Sequence, residues 1–445
     1  MKVSRKYIFA LIISAFGAIA FAQQGSEHNH THGEGDHHDH AHEAPAKAQQ
    51  PANAAHAHEE EADHGACGHP ASEDPKDFNA GETAIHHIAD VNAIHIYGDT
   101  YFHLPCILYA PNHGWKLTST SVFKVHHHGN GTVAKDGYVL VHGSIMRIQD
   151  AAFPMGEVAV SEPTHDEVKT AKGKDKTIYY VQANGVCYML DAKTTLDGGL
   201  MGGGITSFYD FSITRNVFTM LLTFLLLFLL LRSAAKAYTS RPGQAPKGIQ
   251  NFFEPFITFI RDDVAKPNIG PNYERYMPYL LSSFFFILGL NLIGQIPFFP
   301  GSANVTGNIS VTMVLAIITF LIVSFSGNAN YWRHIFMMPG VPKPLLIILT
   351  PVEVLGAILK PFTLMLRLFA NITAGHIVII SFVSLIFIFT NKFGVGTGTA
   401  IGAAASIPLT LFMMALELLV ALLQAFIFTM LSATYIGSAI EEHHH

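Results

Sequence analysis

From residue 205 to its end the chain is a series of long apolar runs separated by short breaks, whereas residues 23–204 are polar and crowded with histidine. About 20 apolar residues are needed to cross a hydrocarbon core of ~30 Å as a helix. The first run, 215–231, qualifies. It is followed by Arg232, Lys236, Arg241 and Lys247, which place that end in the cytoplasm, because basic loops stay inside. Residues 249–276 hold Glu254, Arg261, Asp262, Asp263, Lys266 and Arg275. That charge density predicts a cytoplasmic or interfacial segment. A second span, 276–296, ends at Pro297 and Pro300, and the loop after it carries no charge, as an outer loop would. A third, 309–325, returns to Arg333 and Lys343 on the inside. Two longer apolar segments follow, 351–389 and 406–436. At 1.5 Å per residue the first would be about 57 Å long, so it must tilt or kink. Five crossings then put the C-terminus in the cytoplasm. The pattern predicts an all-α polytopic membrane protein whose last two helices are long and tilted, occupying residues 205–445.

The other half divides into three stretches. Lys2, Arg5 and Lys6, an apolar stretch to Ala20, and Ala20-Phe21-Ala22 before Gln23 have the form of a cleaved secretory signal over residues 1–22. Residues 23–75 contain eleven histidines among Ala, Glu and Asp. They bury too little apolar surface to fold, so a disordered segment is expected. Runs such as His37-His38-Asp39-His40 could bind Zn²⁺, Cu²⁺ or Ni²⁺ loosely. Residues 76–204 alternate β-like runs (93–108, 137–148 and 177–190) with Gly, Pro and Asn breaks, which predicts a small extracytoplasmic β-rich domain. His126-His127-His128 and Met155 mark no recognisable site there. Beyond a secretory signal, Cys67, Cys106 and Cys187 would meet an oxidising compartment, and Cys106 with Cys187 is a possible disulfide.

Composition adds exclusions more than assignments. The chain is 49% apolar and 13% charged, and its net charge of −6 is spread outside the apolar runs. There is no basic stripe or zinc finger for nucleic acid. There is also no phosphate-binding glycine loop, so the chain should not hydrolyse ATP by itself and calls for no cofactor.

The informative residues are the polar ones inside the last two apolar runs. Arg367 sits in Leu364-Met365-Leu366-Arg367-Leu368-Phe369-Ala370-Asn371. An Arg at the centre of a membrane helix costs roughly 2.5–3.5 kcal/mol on insertion scales, and a guanidinium cannot shed its proton to escape that cost. At about 100° per residue, Thr363, Arg367 and Asn371 share one helix face with Lys360 nearby, and His376 points the opposite way. Glu417 and Gln424, seven residues apart, share a face of the last helix. Asn and Gln alone are often glue between membrane helices. Arg, His and Glu together point to a path for ions or protons.

These residues carry a resemblance. Pro361-Phe362-Thr363-Leu364-Met365-Leu366-Arg367-Leu368-Phe369-Ala370-Asn371 with Ala374-Gly375-His376 is similar to the signature of subunit a of F-type ATP synthases. Leu423-Gln424-Ala425-Phe426 resembles that family's last helix, Asn291-Leu292 with Pro297 its second span, and Pro351 and Glu353 its Pro and Glu before the arginine. The family usually has Gly where this chain has Ala370. The resemblance covers 208–442 and leaves the extracytoplasmic half without a counterpart.

The resemblance implies a stator subunit beside a rotating ring of c subunits, held with b-type peripheral-stalk subunits and the rest of the synthase in the bacterial inner membrane. The extension would then be periplasmic. Protons would enter through an outer half-channel (His376, Glu417, Asn291, Gln295), neutralise a ring carboxylate, and leave through an inner half-channel at Glu353. Arg367 would keep the two apart, with Gln424 positioning its guanidinium and Asn371 on the same face. The family carries Glu and His at the positions of His376 and Glu417 in one order or the other, which marks the two as a pair. At ~4 Å and an effective dielectric near 20, Arg367 would attract a ring carboxylate by about 4 kcal/mol. That is roughly three pK units in favour of the ionised form. The rival reading, a His-rich zinc transporter, accounts better for the tail. It lacks paired His and acidic ligands one helical turn apart in any span.

Overall fold

The computed structural model describes residues 89–97, 100–111, 113–126, 129–169, 175–195, 205–296, 301, 303–338 and 341–441. The expected signal (1–22), the His-rich segment (23–75), His127, His128 and the final histidines lie outside the described residues.

Among the described residues, twelve strands occupy the β-rich region and the segment that leads out of it: β1 (Ala93–Tyr97), β2 (Thr100–His103), β3 (Pro105–Ala110), β4 (Gly114–Ser119), β5 (Val133–Lys135), β6 (Tyr138–Val141), β7 (Ser144–Ile148), β8 (Glu157–Ala159), β9 (Thr164–Lys169), β10 (Asp175–Ala183), β11 (Val186–Asp191) and β12 (Tyr209–Asp210). They form a hairpin β1-β2, a sheet in the order β8-β5-β6-β7-β11-β10-β9, and a sheet in the order β12-β3-β4. The run 93–108 is thus three strands and not one. Tight two-residue turns at Asp136-Gly137, His142-Gly143 and Asn184-Gly185 have positive φ at both positions, which suits the twist of antiparallel hairpins. Strand β6 is buried along its whole length. Leu140 faces a core with Leu108, Phe123 and Phe208, and Val139 and Val141 face a second core with Phe153 and Val181. Cys106 is a free, buried thiol and Cys187 is disulfide-bonded, so the two do not pair with each other. Cys106 lies on β3 in the first core, and Cys187 lies on a different sheet.

The remainder is helical: α1 (Arg215–Ser240), α2 (Ile249–Phe259), α3 (Lys266–Ile269), α4 (Tyr273–Gly294), α5 (Ile309–Ser326), α6 (Ala329–Phe336), α7 (Lys343–Phe393) and α8 (Thr397–Ile440). Among the described residues, five helices, counting 249–294 as one, are long and apolar enough to cross a membrane. The charged segment before the second span is itself helical. Its π-helical turn Ile260–Ala265 carries Asp262 between Arg261 and Lys266, at 2.6 Å from each, and the chain leaves the helix at Gly270 with φ of 73°. Both last helices begin earlier than the apolar runs. Helix α7 has 51 residues, about 77 Å at 1.5 Å per residue, and runs through Pro351. Helix α8 takes in the glycine-rich 397–405, because small residues let it close on α7: a Cβ at Gly402 would stand 2.8 Å from the Ile386 Cα.

Helix α4 is the hub, with Phe284, Phe286, Ile287 and Leu290 buried against the other helices. Hydroxyls inside the bundle, such as Thr223, Thr319, Thr429 and Ser432, bond the carbonyl four residues earlier. Polar side chains can be tolerated in hydrocarbon in this way. The β-rich region is tied to the start of α1. Asp90 Oδ1 accepts the Asn216 N–H at 3.0 Å, and the Arg215 N–H donates to the Val91 carbonyl at 2.8 Å. Burial raises the Asp90 carboxyl above the ordinary carboxylate range, opposed by Lys193, the Asn216 N–H, Thr214 and Arg215.

Candidate functional site

Helices α7 and α8 are an antiparallel pair turning at Gly394–Gly396. Thr390 and Thr399 hydroxyls lie 2.9 Å apart near the turn, His376 faces Glu417 further along, and Arg367 meets Gln424 beyond that. The expected split of faces is present. Thr363, Arg367 and Asn371 are exposed along one side of α7, and Lys360 sits 5.4 Å over the Tyr435 ring. His376, nine residues beyond Arg367 and so about 13 Å along the axis, turns inward.

His376 Nε2 stands 3.6 Å from Glu417 Oε1. The Glu417 side chain is only 5% exposed, and its Oε1 accepts no hydrogen bond among the described residues. Gly375 makes room for it: a Cβ there would lie 3.1 Å from that oxygen. Asn291, Gln295, Asn304, Thr306 and Ile372 line the same narrow cleft. A buried carboxylate whose near neighbour is an imidazole is costly to keep charged unless the imidazole is protonated. An acid and an imidazole at this spacing can share a proton.

The amides around the pair act on backbone. Gln295 Nε2 donates to the Glu417 carbonyl at 2.8 Å, and Asn291 Nδ2 donates to the Ala421 carbonyl at 3.3 Å. Gln424 Nε2 donates to the main-chain carbonyl of Arg367 at 2.6 Å. Glu353 is half-buried on α7, about 21 Å along the axis before Arg367, and is not part of this cluster.

Sequence reading missed the loop before α5. Asn304 and Thr306 are buried, and the Thr306 hydroxyl donates to Asn291 Oδ1 at 2.7 Å. The Thr373 hydroxyl donates to the Gly307 carbonyl at 3.3 Å, stitching that loop to α7. A cluster of Asn and Thr without charge, next to a span, was the only signal. Among the described residues, no group of three or more His, Cys, Asp or Glu side chains could hold a metal ion.

Comparison with known proteins bears on this arrangement. The sequence pattern of the ATP synthase A chain matches residues 217–437, and that of a domain of unknown function matches 83–172. "ATP synthase subunit a 2" of Chlorobaculum tepidum is 46% identical over 238 residues, 52% of this chain and 64% of that protein. "ATP synthase subunit a" of Chloroherpeton thalassium is 47% identical over 244 residues, 53% of this chain and 69% of that protein. "ATP synthase subunit a" of Anaeromyxobacter dehalogenans is 36% identical over 319 residues, 68% of this chain and 78% of that protein. On these matches the chain, through its multi-pass helical half, belongs to the ATP synthase A chain family.

Proposed function

We propose that the chain is the stator half of a proton path in the membrane sector of an F-type ATP synthase, facing a ring of c subunits and held by b-type stalk subunits. The observation that carries this reading is the buried His376–Glu417 contact at 3.6 Å on the same helix pair that presents Arg367 outward. In this reading, a proton arriving from the outer side passes by His376 and Glu417 to a ring carboxylate, which then faces lipid. Asn291 and Gln295 line that half-channel and hold α8 in place. After nearly a full turn the carboxyl meets Arg367, is favoured as the anion and releases its proton toward Glu353. Arg367 cannot relay it, because a guanidinium keeps its protons. Gln424 fixes the backbone from which Arg367 projects, and Asn371 extends the same face. The ring would cover the exposed stripe of α7 and α8. Residues 205–445 would lie in the bacterial inner membrane with the C-terminus in the cytoplasm. Residues 76–204 and the His-rich 23–75 would be periplasmic after removal of 1–22.

The test is ATP-driven acidification of inverted membrane vesicles carrying Arg367→Ala, with assembly of the complex checked in parallel. Loss of pumping with the complex intact is expected. Arg367→Lys should fail too, since a buried ammonium can lose its proton. Normal pumping by Arg367→Ala would overturn the reading.

A further inference from the structure

The sheet β12-β3-β4 carries large apolar side chains on both faces. On one, Cys106, Leu108 and Ala110 are fully buried in the core. On the other, register places Tyr109 between Trp115 and Tyr209, and Ile107 beside Leu117. Phe211 continues the row, its N–H donating to the Ile107 carbonyl at 2.8 Å. Trp115 is 66% exposed, Leu117 78% and Phe211 40%. The rings form one connected group, with centroids 4.9 Å apart for Tyr109–Trp115, 5.5 Å for Trp115–Phe211 and 6.4 Å for Tyr209–Phe211. The strand residue Lys116 alternates to the opposite face, where it pairs with Asp136. A solvated face of an antiparallel sheet is normally polar, and a contiguous apolar patch marks something that covers it.

Position says what covers it. Phe211 precedes Arg215, the first residue of α1, by four residues, at most about 13 Å of extended chain. The β1-β2 hairpin rests on the first turn of α1, with Phe102 and Phe218 ring centroids 5.4 Å apart. The outward side chains of α1 (Leu221, Leu225, Leu226 and Leu229) are exposed, so the aromatic sheet lies next to the point where α1 enters the bilayer. Trp and Tyr concentrate at that depth because one end of each ring is apolar and the other polar. We infer that this sheet face seats in the interfacial layer of the leaflet from which α1 starts, with Trp115 and Leu117 reaching the acyl boundary. The contact is with lipid in general, since the patch offers no cation to an anionic headgroup. It requires only that α1 crosses the membrane and is independent of the proton path.

The chain has two tryptophans, Trp115 and Trp332. The full chain carrying Trp332→Phe, in phosphatidylcholine vesicles, reports on Trp115 alone, and Trp115→Phe supplies the Trp332 background. Lipids brominated high on the acyl chain should remove most of the Trp115 emission, while aqueous acrylamide should remove little. Adding anionic lipid should change neither. Quenching by acrylamide and not by bromolipid would mean a solvent-facing sheet. Protection from both, in vesicles or in the assembled synthase, would mean that protein covers it. Either result overturns the inference.

Discussion

Exchanging the two members of the buried pair separates a proton-passing contact from two independent requirements. At the 3.6 Å between His376 Nε2 and Glu417 Oε1, opposite charges attract by roughly 4–5 kcal/mol at an effective dielectric near 20. His376→Glu alone would set two carboxylates at that spacing and turn the attraction into a repulsion of similar size. Glu417→His alone would leave two imidazoles and no acid. If only a third of that energy entered the barrier for proton entry, each single variant would lose about tenfold in rate. The double variant restores one acid and one imidazole, and the hydrogen of Gly375 leaves space for a ring on α8. Initial rates of ATP-driven acidification in inverted vesicles, normalised to assembled complex, should fall for both singles and recover in part for the double. A double variant no faster than the slower single, with the complex intact, would refute the pairing.

Other consequences follow from the same geometry. Gly375→Val would crowd Glu417 Oε1, which already lies 3.1 Å from a bare Cβ position. Overpacking of about 1–3 kcal/mol, felt in the barrier, predicts a pumping loss of roughly fivefold to 150-fold; an unchanged rate would show that the carboxylate does not work from this position. Burial and the nearby Asp210 push the Cys106 thiol up to about 12, so it should resist maleimide at pH 8 when folded and react once denaturant opens the core. Because the folded thiol holds its proton more tightly, its contribution to stability is complete below pH 9 and is lost as pH rises toward 12. A thermal midpoint of the β-rich region that does not fall over that interval would contradict this. Deleting residues 23–75 should leave ATP-driven pumping unchanged, and a clear loss would give that segment a role in coupling.

The membrane half was legible because hydrocarbon permits so few polar side chains that each one carries information. Arg367 and Asn371 on one face, with His376 on the other, follow from 100° per residue alone. What could not be read was where the helices start. Pro351 and the glycines near 398 and 402 signal breaks in water, yet both lie inside helices here. Close packing of α8 on α7 needs the glycines, and membrane helices tolerate internal proline. The Asn304–Thr306 loop was illegible for a different reason. It has no period, and its place beside Glu417 is fixed by contacts such as Thr306 with Asn291 across 15 residues of sequence. In the β-rich half, pairing Cys106 with Cys187 failed because cysteine counting carries no register. Cys106 faces the core of one sheet, whereas Cys187 lies on another.

The amides tie the site together across three helices. Asn291 and Gln295, one turn apart at the end of α4, grip the carbonyls of Ala421 and Glu417, one turn apart on α8. Gln424, further along α8, grips the carbonyl of Arg367 on α7. The three bonds form a chain from the buried hub to the exposed face. The buried acid and the exposed cation are therefore both referenced to α4, although about 13 Å of helix separates His376 from Arg367. Main-chain carbonyls already bonded within a helix have a second lone pair, so these contacts cost the helices nothing and remove three side-chain amides from hydrocarbon. In the function proposed above, Arg367 would have to hold its place against a moving carboxylate that attracts it by about 4 kcal/mol at ~4 Å. A helix anchored through its neighbour's amide can resist that pull in a way that an arginine on an unsupported helix could not.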